Sequence, residues 1–165
     1  METRPRIKLE LSTEDRFIEA ISWVFLAILW LLTLLFYEKL PDIIPTHFDE
    51  RGQPNDHGSK LTIMFLPVIG TLVFFGLTVL NMYPHIFNLP VRITENNAYR
   101  QYANATRMIR ILKISITLVF SLVVVMIIKA ANESSVGSNI WLMPLVLGLI
   151  IIPMIYFVAK AIIMR

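Results

Sequence analysis

The 165-residue chain contains no cysteine. Disulfides, thiolate metal sites and cysteine nucleophiles are therefore excluded, and the redox compartment is left open. Charge is scarce as well, at 16% Asp, Glu, Lys and Arg against 56% hydrophobic residues. Soluble domains carry roughly 25% charged residues. The shortage excludes a disordered chain, a disulfide-stapled secreted domain and most soluble enzymes. The central parts of the apolar runs carry no acid, base or polar stripe, so neither a soluble helical bundle nor an ion pump is favoured. No HExxH motif, phosphate loop or nucleophile–base pair is present.

What is present is four long apolar runs. A hydrocarbon core about 30 Å thick is crossed by roughly 20 helical residues. Runs at about 18–37, 61–83, 108–128 and 140–160 meet that need. The third reaches spanning length only if it begins near Met108, with Arg110 and Lys113 snorkelling to headgroups. The expected fold is an all-α integral membrane protein, a single four-span domain over residues 1–165. Ser12-Thr13-Glu14-Asp15 offers a capping box for the first helix. That run is too long for a signal-peptide core, and Tyr37-Glu38-Lys39-Leu40 is no small-residue cleavage site, so it should stay as an anchor. Pro67, Pro144 and Pro153 are expected to kink their helices.

Basic residues set the expected orientation. Both tails and the middle loop together hold eleven Lys and Arg, whereas the other two loops hold four. The positive-inside rule places both termini in the cytoplasm of a bacterial inner membrane and the 38–60 loop outside.

The outer loop has five acids against three bases. Pro41 and Pro45 favour extended backbone before them, and Gly52, Pro54 and Gly58 signal turns. An extended segment through Phe48, a turn near Gly52 and a return to the second span are expected. Leu40, Ile43, Ile44 and Phe48 should pack this loop onto the helix ends as an ordered cap. Lys60 either snorkels to outer headgroups or pairs with Asp56. His47, Asp49, Asp56 and His57 form a His/carboxylate group. Two imidazoles and a carboxylate (His47, Asp49 and His57) could hold zinc with an open site; the plainer reading has His47 capping a turn beside Phe48. Zinc aside, no cofactor is expected.

The middle segment differs. Pro84 ends the second span, Thr94 looks like an N-cap, and a polar helix from Glu95 should run unbroken into the third span. Arg92, Arg100, Arg107, Arg110 and Lys113 suit anionic lipid headgroups or a cytosolic regulator, and nucleic acid is not expected as a partner. Two glycosylation triplets, at Asn104 and Asn132, are weak matches.

Leu40-Pro41-Asp42-Ile43-Ile44-Pro45-Thr46-His47-Phe48, followed by Gly52, Asp56, Gly58, Ser59 and Lys60, resembles the signature of a bacterial membrane domain of unknown function. That domain stands at the N-terminus of SdpI-type toxin-immunity proteins. The resemblance covers about Trp23 to Lys113; the second half that such proteins usually carry is not found in residues 114–165. It implies a polytopic protein that protects against a secreted peptide toxin, holds a transcriptional repressor at the membrane, or both. It also marks Pro41, Pro45, His47, Phe48, Gly52, Asp56, Gly58 and Lys60 as a fold or ligand motif. The expected role is non-enzymatic binding or signalling through an extracytoplasmic peptide ligand. The alternatives are a small metal-dependent membrane enzyme and a transporter subunit.

Overall fold

A computed structural model describes residues 4–132 and 141–165. Among the described residues, four helices are long and apolar enough to cross a membrane: α1 Thr13–Tyr37, the Lys60–Leu80 segment, α3 Ala98–Asn132 and α4 Leu142–Ile163. The second opens with a 3-10 turn, Lys60–Met64, and continues as α2, Phe65–Leu80. The expected start of the fourth span at Ile140 lies outside the described residues, as does part of the Asn132 glycosylation triplet.

The fold is mostly helical rather than all-α. The loop after α1 forms a two-stranded antiparallel hairpin, β1 Ile43–Phe48 and β2 Pro54–Ser59. Asp49 builds its turn. One carboxylate oxygen, Oδ1, accepts from the backbone N–H of Arg51 at 2.9 Å and of Gln53 at 2.8 Å. Gly52 holds φ 72°, the left-handed conformation that a side chain disfavours. At the hairpin base Lys60 Nζ lies 3.1 Å from Asp42 Oδ1, and Lys60 N donates to Asp42 O. Lys60 thus pairs with Asp42 instead of Asp56, because strand pairing brings the two ends of the hairpin together. Asp56 instead accepts from the backbone N–H of His57.

The hairpin docks through Leu40 and Ile44, buried with Leu29, Ile63, Val124 and Ile127 in one core cluster. Phe48 packs against that cluster. Ile43 does not: it is 67% exposed, because successive strand residues point to opposite faces.

Helix α3 is the central pillar. It packs against α1, α2, α4 and β1. Half of its most apolar 18-residue stretch is buried, against 6% for α4. Its 35 residues make it roughly 52 Å long at 1.5 Å per residue, well beyond a bilayer core. The polar extension expected before the third span is thus part of one continuous helix. It begins at Ala98 rather than Glu95, because Thr94 and Asn97 close a turn first: Asn97 Oδ1 accepts from Thr94 N, and Asn97 Nδ2 donates to Arg92 O.

Helix α1 starts with the expected capping box. Asp15 N donates to Ser12 Oγ, and Ser12 N donates to Asp15 Oδ2. Pro67 and Pro144 are each the third residue of their α-helix, although Pro67 is the eighth of the continuous Lys60–Leu80 segment. In the first turn of α4 the missing N–H of Pro144 has no acceptor within the helix to lose. Pro153 lies in the interior of α4.

Candidate functional site

Among the described residues, polar side chains gather at both ends of the bundle. At the hairpin end, β1, the Lys60–Leu80 segment, α3 and α4 line an open cavity of about 510 Å³. Its walls are apolar, with Phe65 and Leu66 from α2, Val119, Val123, Met126 and Ile127 from α3, and Leu142, Met143 and Val146 from α4. Its polar edge comes from Thr46, His47, Asp49, Glu50 and Thr62. Volumes of this size suit small-molecule or peptide side-chain ligands. Gly58 lets the strands close beneath that edge: a Cβ there would meet Thr46 Cγ2 at 3.0 Å.

The expected metal ligands are not gathered here. Among the described residues no three His or carboxylate side chains are placed to share an ion. The reasons are local. Asp49 spends its carboxylate on the turn, and His47 Nδ1 shares a hydrogen bond with Asn55 Oδ1 at 2.5 Å. His57 pairs across the sheet with Pro45, whereas His47 faces Asp56. Of the sequence motif, Pro45 is buried in β1, Gly52 makes the turn, Lys60 closes the base, and His47 and Phe48 border the cavity. Pro41 precedes the hairpin, and Asp56 is exposed on β2.

At the opposite end lies a charged cluster. Lys113 Nζ donates to Glu19 Oε1 at 2.5 Å and to Thr78 Oγ1 at 3.1 Å, with its side chain fully buried. It also lies 4.5 Å from the Phe74 ring centroid, a cation–π contact. Arg110 Nε stands 3.4 Å from Glu19 Oε2, close enough for an ion pair but without a hydrogen bond. Arg107 reaches Glu14 Oε2 at 2.9 Å and Asp15 Oδ1 at 2.7 Å.

Arg107, Arg110 and Lys113 therefore turn toward the acids of α1. The cause is charge complementarity. A charge left unpaired at bilayer depth is costly, and the acids of α1 lie within ion-pair reach. Arg100 remains exposed on the same helix, beside a shallow cleft shared with Lys160. Arg92 is exposed too, in the segment before α3. Glu14, Asp15, Glu19 and Thr78 were not expected as site residues. A signal existed: acids four apart on α1 and bases three apart on α3 each form a single-face stripe.

Residues 24–71 match the family described as Domain of unknown function (DUF1648). This stretch holds most of α1, the hairpin and the start of α2, less than a third of the chain. A protein of Archaeoglobus fulgidus, described only as an uncharacterized protein, is 35% identical over 78 residues, 42% of this chain and 43% of that protein. The match thus spans less than half the length of that relative. No solved structure matches. Neither description names an activity or a ligand; the similarity to a domain of unknown function is centred on the hairpin and the two helices that carry it.

Proposed function

We propose that this chain is a non-enzymatic multi-pass membrane protein that captures an amphipathic peptide in the cavity beneath its hairpin. The observation that carries the reading is the cavity itself: apolar walls from three helices, closed at one edge by a hairpin bearing His47, Asp49 and Glu50. Apolar side chains of a peptide suit the walls, and the two acids suit a cationic end. The excess of Lys and Arg in the tails and middle loop supports a hairpin facing outward from the cytoplasmic membrane, which is where a secreted peptide arrives. The resemblance of the loop to toxin-immunity proteins points the same way.

The test is a challenge of cells expressing the chain with secreted membrane-active peptides, alongside crosslinking of those peptides to the purified protein in nanodiscs. Protection and crosslinks at the cavity that vanish on Val123→Trp, which fills the cavity, support the reading. Protection unchanged by Val123→Trp and by removal of residues 41–59, with the protein still folded and inserted, overturns it.

A further inference from the structure

The charged end of the bundle holds a second cavity, of about 400 Å³, between α1, α2 and α3. Its lining combines Lys8, Arg110 and Lys113 with one acid, Glu19. Glu19 is committed to Lys113 by a 2.5 Å hydrogen bond. The neighbouring acids Glu14 and Asp15 pair with Arg107, and Asp15 also acts on the charge of Arg110. Counted together, Glu14, Asp15 and Glu19 match Arg107, Arg110 and Lys113 in charge, so Lys8 is the lining cation outside that balance.

Arg110 is the member of that group whose hydrogen-bonding capacity is unused. Its side chain is 8% exposed, and among the described residues no group accepts a hydrogen bond from its guanidinium. Its one ion-pair contact is the 3.4 Å approach to a carboxylate already shared with Lys113. A buried guanidinium with donors to spare is matched in geometry by a phosphate or carboxylate. Lys8 is exposed and lies on the segment ahead of α1 that borders the cavity, so it adds a second cation at the mouth. That segment is pinned across the bundle end: Arg4 donates to the Phe87 carbonyl, and the Tyr102 hydroxyl donates to the Pro5 carbonyl. Ile7, Leu9, Leu11 and Met82 supply apolar lining beside the cations.

We propose that this cleft binds a phosphate-type anion through Arg110 and Lys8, with the apolar lining receiving the chain attached to it. The same anion chemistry is offered by an acidic lipid headgroup and by free phosphate. The site is independent of the hairpin cavity at the other end of the bundle.

The experiment is native mass spectrometry of the full chain, titrated with phosphatidylglycerol, with phosphatidylcholine and with inorganic phosphate. The expected result is one phosphatidylglycerol held about tenfold more tightly than phosphatidylcholine. Arg110→Gln removes that preference, Lys8→Gln weakens it several-fold, and Arg100→Gln, outside the cleft, leaves it unchanged. Displacement of the lipid by inorganic phosphate with a matching phosphate adduct assigns the anion to the soluble source; failure to displace assigns it to the headgroup. Where Arg110→Gln does not fold, Arg110→Lys replaces it, keeping the charge while losing the fork geometry, and weakens binding. Equal retention of the two lipids with no phosphate adduct overturns the proposal. So does full binding by both Lys8→Gln and whichever Arg110 variant folds.

Discussion

Glu19 and Lys113 meet at 2.5 Å inside the bundle, joining α1 to α3 through a lysine whose side chain is fully buried. The pair ties the first helix to the central one near the end opposite the hairpin. It converts two residues that read as span-edge charges into an internal crosslink.

Removal of the acid should therefore be severe. Glu19→Gln leaves Lys113 buried without its counter-charge, a change that costs about 3–5 kcal/mol in comparable buried pairs. Thermal unfolding of the detergent-solubilised protein measures the loss. The double variant Glu19→Gln with Lys113→Met should recover a substantial part of it. Equal stability of Glu19→Gln and the parent protein contradicts the pairing.

The close approach at Gly70 gives a packing prediction. A Cβ there would meet Leu29 Cδ2 and Phe120 Cδ2, each at 2.9 Å. Both contacts are side-chain ends, so some relaxation is available. Gly70→Ala should still destabilise the α1–α2–α3 junction, by about 1–3 kcal/mol as overpacking does. Phe120→Leu added to Gly70→Ala should restore part of the loss in the same unfolding assay.

Gly58 and Thr46 set the closure of the hairpin. Gly58→Ala places a methyl 3.0 Å from Thr46 Cγ2 and should loosen the strand pair, visible as faster amide exchange in residues 43–59. Thr46→Ser removes the opposing methyl and should return exchange toward the parent rate. If Gly58→Ala exchanges like the parent, the approach of the strands is looser than described.

The absence of cysteine makes topology directly measurable. A single cysteine at exposed Asp56 and another at exposed Arg100 should respond oppositely to a membrane-impermeant maleimide. In intact cells Asp56→Cys should label and Arg100→Cys should not; lysis should expose both. Labelling of Arg100→Cys alone in intact cells inverts the proposed orientation.

Much of the fold is legible in the chain because it depends on local properties. Whether a stretch prefers lipid to water is decided by its own side chains, so four runs were visible as spans. The Ser12–Asp15 capping box and the turn at Gly52 are likewise short-range hydrogen-bonding and dihedral requirements, readable within a few residues. The first strand was legible as an extended segment through Phe48, whereas the second was legible only as a return to the second span. Their pairing register was not, since it emerges only when Asp42 and Lys60 meet across the hairpin base.

The sequence by itself thus determined that the backbone must satisfy its hydrogen bonds in helices through an apolar medium, and where those helices break. Only the tertiary structure decided which charges are neutralised. A lysine near a span edge can reach a headgroup or a carboxylate on another helix, and both serve equally well in one dimension. The packing of α1 on α3 places Glu19 beside Lys113 and leaves Arg110 with donors unused. Opposite charges attract according to distance in space, and that distance is fixed by helix packing rather than by position along the chain.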